Sequence, residues 1–246
     1  MHKKIMHTGI SFIIASLAAV GLNTLKDSYY NPGSRYDIGE SFPYSRKTDK
    51  DGSTIVRTFE IGSKIHKIYI DPDDYILKKG YRRNAGLEEI PGYTDPDDEE
   101  LIELLKHNLD IPSGNKEEDA EKIMDFVHRH VYVPDRYNHV KTPIETIVEG
   151  CGDCEDLSIL AGSMLAAAKI DFAYIAVPAY EDKNAHILVG IAGDFKGESF
   201  SHKGKKYYAA ETTGTRWPGK PAGWKIGQLP DKSWKTLDVK VLEYSQ

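Results

Sequence analysis

The segment Gly150–Ile170, GCGDCEDLSILAGSMLAAAKI, constrains the fold of this chain more than any other. From Cys154 onward, Leu157, Leu160, Ala161, Met164, Leu165 and Ala168 recur at helical spacing. The spacing predicts a largely buried helix. Gly150 and Gly152 permit a close backbone approach just before it, and Asp153 can cap its first turn. Such a helix needs a layer to pack on. Alternating apolar runs near 172–178, 185–192, 205–212 and 237–244 supply one as strands. The expected class is therefore α+β, with this helix packed on an antiparallel β-sheet. Upstream, Thr54–Gly62 and Lys64–Ile70 alternate and read as a hairpin across Gly62-Ser63. Residues 71–92 read as loop, on Pro72, Gly80, Gly86 and Pro91. Asp95-Pro96 is expected to open a helix, with Leu101, Leu104, Leu105 and Leu109 as its buried stripe. Helix capping also accounts for the acidic run Asp97–Glu100, which lacks the spacing of a calcium loop. A further helix spans about Lys116–His130, burying Ala120, Ile123, Met124, Val127 and Val131.

The helix start is where chemistry is expected. Cys154 falls in the first turn, where unpaired N–H groups and the positive end of the dipole favour a thiolate. The same N–H groups can bind an oxyanion formed during attack on a carbonyl. A cysteine there needs a base. His186 opens the apolar run His186–Gly190 and is the best placed of the nine histidines. His128 and His130 sit near a helix end, where a positive charge suits the dipole, so they read as structural. Glu211 closes the run YYAAETT, where a carboxylate can hold the His186 imidazole in one tautomer.

These segments together resemble the transglutaminase-like superfamily, whose core is related to the papain-type cysteine proteases. The matching stretches are GDCEDLSILAGSMLAAAKI, AYIAVP, NAHILVG and YYAAETTG, with VYVPDRYNHVKTPIETIVEG ahead of them and GWKIGQLP after. The resemblance spans about residues 116–228 and leaves 1–95 uncovered. It implies a papain-like/transglutaminase-like core with Cys154 as nucleophile, His186 as base and Glu211 as orienting acid. Asp156 matches the acid that usually follows two residues after the cysteine, in a supporting role. The sequence departs from the family pattern at Glu211, where an aspartate usually stands. Tyr132 and Tyr137 are candidates for a second oxyanion donor. The implied activity is acyl transfer on amide bonds, as peptidase, amidase or transglutaminase, on a protein, peptide or cell-envelope substrate. Such thiol chemistry needs no cofactor.

Two other readings compete. Cys151-Gly152-Asp153-Cys154 is a C-x-x-C at a helix start, the layout of thiol-disulfide oxidoreductases. The surrounding elements lack the β-α-β opening of such enzymes. A Cys151–Cys154 disulfide that silences the enzyme until reduced is a combined form of the two ideas. As a metal site, two thiolates need two more ligands, and none lies at zinc-finger spacing. The other reading is a non-catalytic module of the same fold that binds a partner, with Trp217, Trp224 and Trp234 forming a rim.

Lys3 and Lys4 precede the apolar run Gly9–Leu22, the layout of an export signal or, uncleaved, a membrane anchor. The protein is therefore expected outside the cytoplasm, secreted or attached through residues 9–22. Residues 23–95 are expected as linker and small β element, and 96–246 as the catalytic domain. The chain has 246 residues, of which 40% are hydrophobic, which supports a real core. A net charge of −6 argues against a nucleic-acid binder. Without residues 1–22 the balance is 30 basic to 38 acidic, a net of −8. Two cysteines exclude a disulfide-stapled scaffold and a four-cysteine zinc site.

Overall fold

The alternating run after Thr54 forms the expected hairpin. Strands β2 (Ile55–Ile61) and β3 (Lys64–Ile70) pair antiparallel, and β1 (Arg46–Thr48) adds to the outer edge of β2. The computed structural model describes residues 46–48, 54–61, 64–79, 85–134, 139–181, 183–214 and 223–244. The expected export segment, Tyr137 and Trp217 lie outside them. Among the described residues no helix is long and apolar enough to cross a membrane.

Residues 71–92 correct the sequence reading. They hold helix α1 (Pro72–Lys79) and a 3₁₀ turn, Leu87–Tyr93. Pro72 sits in the first turn, and Asp71 Oδ1 accepts from the N–H groups of Asp73 and Asp74 at 2.7 and 3.4 Å. The next helix starts later than Asp95-Pro96 suggested. In α2 (Glu99–Glu103), continued by a π-type turn over Leu104–Asn108, the N-cap is Asp98. Its Oδ1 takes the Leu101 N–H at 3.0 Å. Leu101, Leu104, Leu105 and Leu109 are buried.

Helix α3 (Lys116–Val127) is capped by Asn115 and leads into β4 (Val131–Tyr132). Helix α4 (Pro143–Glu149) follows, ending on Gly150 in the left-handed region at φ 69°. Strand β5 (Cys151–Gly152) pairs parallel with β4 and delivers the chain to α5 (Cys154–Ala167). The second sheet contains β6 (Phe172–Val177), β7 (His186–Ile191), β8 (Ser199–His202), β9 (Lys205–Ala210) and β10 (Lys240–Glu243). It is antiparallel throughout, in the order β10-β6-β7-β9-β8. Strand β8 lay outside the sequence expectation.

Strand alternation divides this sheet between two apolar clusters. Phe172, Tyr174, Ile187, Val189 and Ile191 turn to one face and pack with Leu157, Leu160, Ala161 and Met164 of α5. Ile175, Val177 and Leu188 turn to the other, under Leu229 and Trp234 of the C-terminal segment. The larger cluster also takes in Ile55, Phe59, Ile68 and Ile70 of the hairpin, so it runs continuously across residue 95. The class is α+β, with α5 against one face of an antiparallel sheet.

Candidate active site

The start of α5 is held by its own third residue. Asp156 Oδ2 accepts from the Asp153 N–H at 3.3 Å, closing the first turn, and Oδ1 accepts from the Lys141 N–H at 2.8 Å. The Lys141 ammonium lies 3.5 Å from Asp156 Oδ2 and donates to the Cys151 carbonyl at 3.0 Å. Burial pushes the Asp156 carboxyl up to about 6, against the pull of Lys141. Asp156 therefore ties the approach to α4, the β5 segment and α5 into one unit. Gly152 makes that possible, because a Cβ there would stand 2.6 Å from the Asp156 Cβ.

Cys154 is buried at the first position of α5. Its Sγ donates to Glu155 Oε2 at 3.1 Å. The amide of Ile187, the residue after His186, acts on the same sulfur and favours its anion. Burial is the larger influence. Together with Glu155 and Asp153, it drives the thiol far above its ordinary value. The helix-start position was expected to favour a thiolate. Desolvation and two neighbouring carboxylates outweigh the helix terminus and favour the protonated thiol.

His186 and Glu211 meet directly. His186 Nε2 donates to the Glu211 carboxylate at 3.0 Å to Oε2 and 3.2 Å to Oε1. This leaves Nδ1 of a neutral imidazole as the acceptor. Glu211 is 1% exposed. Its Oε1 also accepts from the Thr213 N–H at 2.7 Å and the Thr213 hydroxyl at 2.5 Å. Burial, the largest influence, pushes the carboxyl up. Electrostatic attraction to His186 and the His186 and Thr213 hydrogen bonds more than offset it and hold the group below the usual range.

Several contacts around this pair went unread in the sequence. His128 Nε2 donates to the Glu211 carbonyl at 2.6 Å and fixes the backbone of the acid. His128 and His130 were read as structural on their place near a helix end; burial lowers both, His130 to about 4, against the positive charge that place would suit. Ser158, one turn after Cys154, donates to the Ile187 carbonyl at 3.2 Å and lies 2.9 Å from the Thr212 hydroxyl. It stitches α5 to the start of β7 and the end of β9. Trp234 lies across the imidazole of His186, with ring centroids 5.0 Å apart and 36° between planes.

Cys151 is a buried free thiol on β5, as Cys154 is on α5. Burial raises the Cys151 thiol above its ordinary value. Tyr132 stands opposite Gly152 in the β4–β5 pair. Trp224 is half-buried. Among the described residues, no three His, Cys, Asp or Glu side chains are grouped to hold a metal ion.

No family model and no curated protein matches the sequence. Among solved structures, the chain is similar to one described as a "putative cysteine protease from Cytophaga hutchinsonii", at 13% identity and a TM-score of 0.37. The match covers 70% of this chain and 62% of that one, so this chain spans less than two thirds of its length.

Proposed function

We propose that this protein is a transglutaminase-like cysteine hydrolase of amide bonds, with Cys154 as nucleophile, His186 as base and Glu211 as orienting acid. The observation that carries this reading is the part-buried His186–Glu211 hydrogen bond, at a strand start whose next amide, that of Ile187, bonds the sulfur of Cys154. Glu211 fixes the imidazole with Nδ1 unprotonated, and Nδ1 then takes the thiol proton. The thiolate attacks the amide carbonyl, and the negative oxygen meets backbone N–H groups at the start of α5. The His186 imidazolium next protonates the leaving amine, and water resolves the acyl-enzyme. A primary amine in place of water turns the same intermediate toward cross-linking. The basic and apolar start of the chain supports action outside the cytoplasm, secreted or attached through residues 9–22.

The test is iodoacetamide labelling of Cys154 between about pH 5 and pH 9, read by mass spectrometry. Burial holds the Cys154 thiol above its ordinary value, so labelling should be slow, and it should slow further in His186→Ala. Labelling indifferent to His186 overturns the proposed pair.

A further inference from the structure

The carboxylate of Glu155 lies against the sulfur of the proposed nucleophile. It accepts the thiol hydrogen of Cys154 at 3.1 Å and is only half-buried. The charged side chains that raise the thiol beyond its burial are Glu155 and Asp153, both negative. Asp153 is buried at the helix start, whereas Glu155 reaches solvent. A carbonyl arriving at Sγ therefore brings its neighbouring groups against the Glu155 carboxylate. Like charge there is repelled and positive charge attracted, in a partly dry site where screening is weak.

We propose that Glu155 is the specificity-determining residue of this site, selecting substrates with a cationic side chain beside the scissile carbonyl. The inference rests on Cys154 being the nucleophile. A lysine or arginine side chain on the acyl-side residue engages Glu155 and draws its carboxylate off the sulfur. The thiol hydrogen is then free to pass to His186 Nδ1, and the charge that opposed the thiolate is neutralised. An acidic residue at the same place leaves Glu155 on the sulfur and adds repulsion. Substrate charge thus sets both binding and the readiness of the nucleophile.

The experiment measures rates of Cys154 modification in the full chain by a cationic and an anionic methanethiosulfonate, each relative to a neutral one. In this reaction the thiolate bonds to the reagent sulfur and methanesulfinate leaves, so neither oxidant nor turnover is needed. The cationic reagent should be favoured by on the order of tenfold. Glu155→Gln should remove that preference and raise the rate with the neutral reagent. Glu155→Asp should keep the sign. In the wild-type chain, added salt should shrink the ratio, a check that needs no variant. A ratio unchanged by Glu155→Gln and by salt overturns the proposal. His186→Ala changes absolute rates and leaves the charge ratio standing, so failure of the functional reading is seen separately. In hydrolysis, peptides differing only by Lys or Glu on the acyl side should rank in the same order. Equal kcat/KM for the two overturns the substrate assignment even where the reagent ratio holds.

Discussion

Glu211 is one methylene longer than an aspartate, and the structure shows what that length does. Its backbone is held by His128 through the carbonyl at 2.6 Å, and Thr213 holds one carboxylate oxygen. From that fixed base the longer side chain spans to His186 Nε2 at 3.0 Å. Glu211→Asp should therefore fall short of His186 and lose activity. Glu211→Gln keeps the shape and loses the charge, so if Glu211 orients His186 as proposed, kcat/KM should drop on the order of 10²-fold or more. The same variant tests linkage. The Glu211 carboxyl is held below the usual range in the fold, so its stabilising contribution is present above the unfolded value of about 4.3. It is lost as pH falls through the lower folded value. Urea unfolding should show wild type more stable than Glu211→Gln at neutral pH, with the gap closing in acid. A gap independent of pH would mean the glutamate acts by shape alone. The residue types and order of Cys154, His186 and Glu211 were legible in the sequence. Their fixing by His128 and Thr213 was not, because it depends on which loops meet after folding. The upward push on the thiol was not legible for a related reason: helix position is local, whereas burial depends on the tertiary fold.

At the scale of elements, one dipeptide behaves in two ways. Asp71-Pro72 opens α1, with Asp71 capping and Pro72 in the first turn. Asp95-Pro96 does not open α2. The Asp95 N–H is taken by Ser163 Oγ at 2.9 Å, Pro96-Asp97 turn, and Asp98 caps instead. The sequence signal is the same in both places, and at the second the helix starts three residues later, on Asp98. Strand β8 carried a local signal that the polar run Ser199–His202 obscured. Lys203 and Gly204, at φ 47° and 79°, form the two-residue turn that joins it to β9. The approach to Cys154 was legible as glycines, and its cause is now specific. At Gly152 an added methyl meets the Cβ of Asp156, which is fixed by the α5 backbone and cannot swing away. Gly152→Ala should cost about 1–3 kcal/mol by overpacking. Because it shifts the start of α5, it should also lower the rate of Cys154 alkylation. Urea denaturation and labelling check the two effects, and unchanged values in both would mean that β5 moves freely.

For the whole molecule, the question is whether the hairpin is an appendage or part of the fold. The alternation of residues 55–70 shows a half-buried sheet, and nothing in that pattern names the partner of its apolar face. Phe59 supplies the answer. Its ring meets Phe126 of α3 edge-on at 5.0 Å, and Phe126 in turn meets His130 at 5.1 Å. One residue pair away, the Arg57 guanidinium donates from Nε to the Ile147 carbonyl of α4 at 3.0 Å. The Arg57 guanidinium lies against Gly150 and leaves no room for a Cβ there, so the αL cap of α4 and the packing of Arg57 depend on each other. The hairpin thus touches the two helices that lead into β4 and β5, one step removed from Cys154. Phe59→Ala should cost about 3–5 kcal/mol, the range for emptying a buried aromatic site. It should shift a single cooperative transition for the chain to lower denaturant, with tyrosine and tryptophan fluorescence and far-UV circular dichroism coinciding. Two separated transitions, with only the first moved by Phe59→Ala, would instead make the hairpin a unit that unfolds alone. The shared cluster of Ile55, Phe59, Ile68 and Ile70 with Phe126 and Leu157 argues for the single transition. Loss of the hairpin then loosens the walls of the cysteine site along with the core.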